Sequence, residues 1–217
     1  MTNVTVFPNF ITAQECKELN VWAEKAVENG WLSPGVDRAL AENKFSQSED
    51  GNTLDPEKEK VSIYGAKNRY SSTIFPDKFD KYPDLMYDIK DRIIKFLNLE
   101  NLKESVMNGG KGKNSIISLV IQPGGDMFAH KDIMEPNGNH LLRCNILTQV
   151  PEEGGELFVD DRDGVKQKIN LGTGDLHCYM VTKYEHYSST VKGNKNRILW
   201  MVGFQMPVDD PRYTKWI

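Results

Sequence analysis

The amino-acid sequence predicts an α+β protein built on a β-sandwich, and two observations carry that prediction. Up to Gly109 the apolar residues recur at helical spacing in two long stretches, separated by polar segments. After Gly109 the texture changes to short apolar or alternating runs: SIISLVIQPGG, HLLRCNILTQV, GGELFVDD, VKQKINL, GDLHCYMV and NRILWMVGFQM. Gly, Pro, Asn and Asp punctuate these runs, which is the pattern of an antiparallel sandwich or barrel of about eight strands. Helices first and strands after indicate an α+β layering rather than alternating βα units.

The elements follow in order. In ITAQECKELNVWAEKAVENG, Thr12 and Glu15 form a capping box, because each side chain can satisfy a free backbone N–H of the first turn. Cys16, Leu19, Trp22, Ala23, Ala26 and Val27 then line one helical face, and Gly30 suits the C-terminal cap. Residues 42–60, ENKFSQSEDGNTLDPEKEK, are polar, charged and aperiodic, so they read as a solvated loop or a lid over a site. GAKNRYSSTIF reads as a surface strand, or as a substrate-side segment through Arg69 and Tyr70. A second helix is expected from about Pro83 to Leu97, with Leu85, Met86, Ile89, Ile93, Phe96 and Leu97 on one face. Trp200 and Phe204 read as core residues.

Composition narrows the function classes. A chain of 217 residues suits a single domain, with residues 1–110 as helical and loop support and 111–206 as the core that carries the site. A net charge of −4 without a basic stripe argues against nucleic acid as a partner. No apolar run approaches the roughly 20 residues that span a bilayer, so no membrane partner is expected. The opening MTNVTVFPNF has no basic leader and no apolar signal core. The three cysteines, Cys16, Cys144 and Cys178, are odd in number and each apolar in context, which suits buried free thiols in a reducing, cytoplasmic compartment.

The chemistry centres on MFAHKDIMEP. If FAHKD is extended, His130 and Asp132 point to one face and Lys131 to the other. An imidazole nitrogen and a carboxylate oxygen at that spacing can take two adjacent positions on one metal ion. A second histidine would complete a two-histidine, one-carboxylate triad, which suits ferrous iron and leaves three positions open. An H-x-D alone is also compatible with a surface or capping pair. The remaining histidines are His140, in a turn before a strand, His177, which reads as a packing residue of an apolar strand, and His186, followed by a basic cluster. Arg197 lies eleven residues after His186, and its planar fork suits a carboxylate better than a lysine would.

PGGDMFAHKD, LLRCNILTQVPEEGGELFV, GTGDLHCYM and HYSSTVKGNKNR, in this order and spacing over residues 124–204, resemble the iron(II)- and 2-oxoglutarate-dependent oxygenases, in particular the prolyl-4-hydroxylase-like branch. VFPNFITAQECKELN is similar to the opening helix of that family. The resemblance implies a double-stranded β-helix, or jelly roll, with N-terminal helices packed on one sheet. It implies Fe(II) held by His130, Asp132 and His186, with 2-oxoglutarate and O2 as cosubstrates and ascorbate in support. It carries the distal carboxylate of 2-oxoglutarate onto Arg197, with Lys195 as runner-up. The activity implied is hydroxylation of a C–H bond in a peptidyl substrate, prolyl included, or in a small molecule or amino acid, with 2-oxoglutarate decarboxylated to succinate. Two departures stand out. Ile121 occupies a position where prolyl hydroxylases carry a tyrosine, for which Arg143 and Asn145 on one strand face could compensate as cosubstrate contacts or else form a local salt bridge or hydrogen bond. His177 stands where an aromatic residue is commoner. The intact Asp132 favours hydroxylation over halogenation. A non-catalytic metal-binding scaffold and a different cupin-type metalloenzyme are the competing classes.

Overall fold

In a computed structural model of the chain, residues 3–35, 68–72, 82–106 and 115–217 are described; residues 42–60, read above as loop or lid, lie outside them. Among the described residues, eleven strands, two α-helices and one 3-10 turn follow in chain order: β1 (Thr5–Phe7), α1 (Ala13–Glu28), β2 (Ser33–Pro34), β3 (Arg69–Ser71), α2 (Asp84–Leu97), β4 (Ile116–Ile121), β5 (Met127–His130), β6 (His140–Gln149), β7 (Leu157–Asp160), β8 (Lys166–Ile169), β9 (Asp175–Met180), β10 (His186–Ser188), β11 (Arg197–Met206), and the turn Tyr213–Trp216.

α1 begins where its capping box places it. Thr12 Oγ1 accepts from Glu15 N–H at 3.2 Å, and Thr12 N–H donates to Glu15 Oε2 at 2.7 Å. The helix stops because Gly30 adopts φ +65°, which lets Trp31 N–H reach back to Ala26 O at 2.8 Å. α2 starts one residue later than expected, with Pro83 as its N-cap, and ends on left-handed Asn98.

The strands form two antiparallel sheets. The larger has the order β1-β9-β6-β11-β4-β3-β2, and the smaller the order β5-β10-β7-β8. Each of the six sequence runs holds one strand. β1 and β2 were not expected, and each is too short to show a hydrophobic period; β3 falls in GAKNRYSSTIF, read above as a surface strand, but Arg69 and Ser71 are buried, and the three strands extend the larger sheet at both edges. The architecture is therefore mostly antiparallel β with few helices, consistent with a jelly roll.

In the larger sheet β4, β6, β9 and β11 are buried on almost every residue, so the chain must furnish two buried faces. One face carries Val120, Ile146, Cys178, Met180, Ile198, Trp200 and Phe204 into the main core, together with Leu19, Ala23 and Ala26 of α1 and Met86, Ile89 and Ile93 of α2. Trp200 meets Trp22 of α1 at 5.3 Å between ring centroids and Tyr82 edge-on at 5.8 Å. The Tyr82 hydroxyl is satisfied by Ser72 Oγ at 2.7 Å. Burying each large aliphatic side chain contributes about 1.5–3 kcal/mol, so this face holds the sheet and helices together. All three cysteines are free and buried. Among the described residues no helix is long and apolar enough to cross a membrane. The opposite face of the larger sheet looks toward the smaller sheet, and the space between them holds the site.

Candidate active site

Alternation decides what enters that space. Along β6 the odd positions Leu141, Arg143 and Asn145 point inward; along β9 His177 and Tyr179 do so; along β11 Arg197, Leu199 and Met201 do so; and along β3 Arg69 and Ser71 do so. From the smaller sheet come Met127 and His130 of β5, Leu157 of β7 and His186 of β10. Together they enclose a cavity of about 100 Å³. At about 10–15 Å³ per water, that admits several waters or one small dicarboxylate.

His130 and His186 face each other across the β5–β10 pair as direct register partners, their ring centroids 4.4 Å apart. Asp132, two residues beyond His130, has its backbone N–H held by Val181 O at 3.0 Å. Its Oδ1 lies 3.2 Å from His130 Nε2 and 3.8 Å from His186 Nε2. The three ligand atoms all lie within 4.8 Å of one another. Adjacent ligands on one first-row metal ion, at bonds of about 2.1 Å, stand roughly 3 Å apart, so the set needs little closure to grip an ion.

The surrounding groups orient the set. His130 Nδ1 lies 2.6 Å from Phe128 O and His186 Nδ1 3.1 Å from Tyr184 O. A ring that donates its Nδ1 proton to a carbonyl presents the Nε2 lone pair, as metal-binding histidines do. Burial, with the neighbouring His130, pushes the His186 pKa down to about 3, so the ring is neutral and available at physiological pH. Burial opposes ionisation of Asp132, yet the Arg143 guanidinium and the two histidines hold its carboxyl far below the usual carboxylate range. Arg143 Nη2 donates to Asp132 Oδ2 from across the cavity. Of the two readings given to Arg143, a cosubstrate contact or a local salt bridge, the described contact is the salt bridge, to Asp132.

The deep end is different. Arg197 is 2% exposed, and among the described residues its Nε and Nη1 have no hydrogen-bond partner and no carboxylate pairs with it. Burial lowers its pKa to about 10, so it stays charged at neutral pH. A buried cation without an anion is costly, which makes this end fit an anionic ligand. Its stem runs against Gly155, where φ is +67° and an added Cβ would stand 3.0 Å from Arg197 Cδ and 2.8 Å from Pro151 Cγ. The second glycine of GGELF thus makes room for the arginine. Ile121 separates Arg197 from Arg69 in the sheet register, so both arginines lie on one row of the cavity wall.

The remaining expected residues divide. Asn145 lines the cavity and donates through Nδ2 to His177 Nε2 at 3.2 Å. Lys195 is exposed on the outer surface, beside Lys17 and Thr148, and does not line the cavity. Arg69 lines the cavity, whereas Tyr70 packs against the helix-side core. His140 is held outside the cavity by Thr182 Oγ1 at 2.9 Å. His177, read as packing, and Tyr179, not singled out, both face inward. Alternation in DLHCYM was the available signal, because Leu176, Cys178 and Met180 share the apolar face.

No family model and no curated protein matches the sequence. Solved structures do match. The chain is similar to a Pseudomonas putida prolyl-4-hydroxylase at 14% identity and a TM-score of 0.58, over 95% of this chain and 94% of that one. It is similar to a Trichoplax adhaerens prolyl hydroxylase, solved with a peptide of hypoxia inducible factor, at 13% and 0.61 over 99% and 87%. It is similar to a collagen prolyl hydroxylase of Paramecium bursaria Chlorella virus-1, solved with 2-oxoglutarate, at 14% and 0.53 over 95% and 97%. The chain has the fold of the prolyl-4-hydroxylase-like oxygenases.

Proposed function

We propose that the protein is an Fe(II)- and 2-oxoglutarate-dependent dioxygenase that hydroxylates a C–H bond in a peptidyl or small-molecule substrate. One observation carries the reading: two imidazole nitrogens and a carboxylate oxygen converge at one end of a cavity whose other end holds a buried arginine with no ion-pair partner among the described residues. A structural metal site would need no such arginine, and a cupin-type site would draw on more histidines, from closely spaced motifs, than the two that converge here.

His130, Asp132 and His186 would hold the iron, leaving positions for the keto-acid end of 2-oxoglutarate and for oxygen. Bound there, the iron and cosubstrate supply the oxidising power for hydroxylation, with release of succinate and carbon dioxide. The chain's own residues do the rest. Arg197 pairs with the distal carboxylate and fixes the length of the cosubstrate between itself and the triad. Arg143 keeps Asp132 ionised and aimed. Leu141, Leu157, Leu199 and Met201 exclude water from the cavity walls. Arg69, on the same wall, is a candidate contact to the substrate, with Tyr70 the weaker candidate because it faces away. By analogy with the collagen and hypoxia-factor enzymes of like fold, a prolyl peptide is the first substrate to try.

The test is succinate formation from 2-oxoglutarate with ferrous iron and ascorbate, without added substrate. The wild type should produce succinate slowly, His130→Ala none, and Arg197→Ala only at much higher 2-oxoglutarate. Iron bound without any succinate, with or without prolyl peptides, would favour the scaffold; no iron bound would end the triad reading.

A further inference from the structure

Three rings, His186 of the smaller sheet and Tyr179 and His177 of the larger, step from the metal end to the arginine end. Tyr179 meets His186 edge-on at 5.4 Å, and His177 stacks on Tyr179 at 6.3 Å with 12° between planes. His177 is 1% exposed, lines the cavity, and lies close enough to Arg197 for the guanidinium charge to disfavour its protonation. Asn145 Nδ2 donates to its Nε2, so the ring's one proton sits on Nδ1. That N–H has no hydrogen-bond partner among the described residues, and neither do Asn145 Oδ1 and Arg197 Nε and Nη1. Buried polar atoms are nearly always partnered, so four orphans around one cavity mark the place of a ligand. A histidine serving only to pack would be replaced without loss by an aromatic carbocycle; a buried, oriented N–H beside a guanidinium would not.

We propose that His177 is a cosubstrate-binding residue, its Nδ1–H donating to the distal carboxylate of 2-oxoglutarate alongside Arg197, with Asn145 fixing the ring. This rests on the dioxygenase reading above. It assigns the second donor for that carboxylate to β9, and it makes the discrimination between a dicarboxylic and a monocarboxylic 2-oxo acid depend on His177.

The experiment is calorimetric titration of the Mn(II)-loaded protein, which binds without turning over, using 2-oxoglutarate and 2-oxopentanoate; the second keeps the keto-acid end and lacks the distal carboxylate. The wild type should bind 2-oxoglutarate far more tightly. His177→Phe keeps the stack on Tyr179 and loses the donor; it should weaken 2-oxoglutarate by about 10–100-fold, as for a lost hydrogen bond to a charged group, and leave 2-oxopentanoate within about twofold. His177→Asn sets an amide nitrogen where Nδ1 stood and should recover part of the affinity. His177→Gln sets one where Nε2 stood and should not. Unchanged 2-oxoglutarate affinity in His177→Phe, or equal losses for both acids, would overturn the assignment while leaving the dioxygenase reading intact. A wild type that binds Mn(II) but neither acid would overturn that reading, and this inference with it.

Discussion

The two faces of the larger sheet are made by the same strands and are buried almost equally, yet they differ in kind. On β11, Trp200 and Phe204 enter an apolar core against the helices, while Arg197 and Met201 look into the cavity. On β9, Cys178 lies in the apolar core away from the cavity, while His177 and Tyr179 line the cavity. The helix-side face is built almost wholly of apolar side chains, with single buried polar atoms such as Trp200 Nε1 left without a partner among the described residues. The other leaves Arg197, His177 and Asn145 atoms without partners among the described residues. The lesson is a division of labour by parity: along β11 Trp200 and Phe204 pack the core, and Arg197, Leu199 and Met201 line the cavity.

The sharpest break of that comparison is Trp200→Ala. Emptying the Trp22–Tyr82–Trp200 cluster should cost about 3–5 kcal/mol, seen as a lower denaturant midpoint in chemical unfolding. Arg197→Met should do the reverse on the other face. Removing a buried charge that has no partner among the described residues should leave the unfolding midpoint unchanged or higher, while 2-oxoglutarate affinity falls by about 10–100-fold in calorimetry. A large loss of stability in this variant would contradict the division. Arg143→Met should lower metal affinity about 10–100-fold, with Arg143→Lys in between, because the arginine orients a ligand from outside the triad; competition with a metallochromic chelator reads this directly.

Acid should act through the cavity face. Burial, then Arg197, pushes the His177 pKa down to about 3, whereas in the unfolded chain it titrates near 6.5. Between these values the unfolded state binds the extra proton, so the stability present above pH 6.5 is lost as pH falls, at up to about 1.4 kcal/mol per pH unit. His177→Phe should therefore lose less stability than the wild type between pH 7 and pH 4.5, measured by urea unfolding. The smallest expected effect is at the chain's start: Thr12→Ala removes the capping box of α1 and should cost about 1 kcal/mol, a modest drop in melting temperature.

Much of the site was legible because its chemistry is local in sequence. His130 and Asp132 sit at strand spacing, and the His186-to-Arg197 interval spans one turn and two strand starts. What was not legible depended on distance across the sheets. Arg143 is eleven residues from Asp132, on β6 of the larger sheet while Asp132 follows β5 of the smaller, and nothing in LLRCNIL marks its partner. Lys195 and Arg197 are equally basic in sequence, but only the residue that begins β11 points inward.

The sequence by itself determined the two helices, the six main strands and the types of residue gathered at the site, because periodicity and capping act within a few residues. Only the tertiary structure decided which parity of each strand meets the cavity, that β1, β2 and β3 extend the larger sheet, and that His177 stands beside Asn145 rather than in the apolar core. Those outcomes depend on register between strands distant in the chain, and register is set when both faces of a sheet are buried at once.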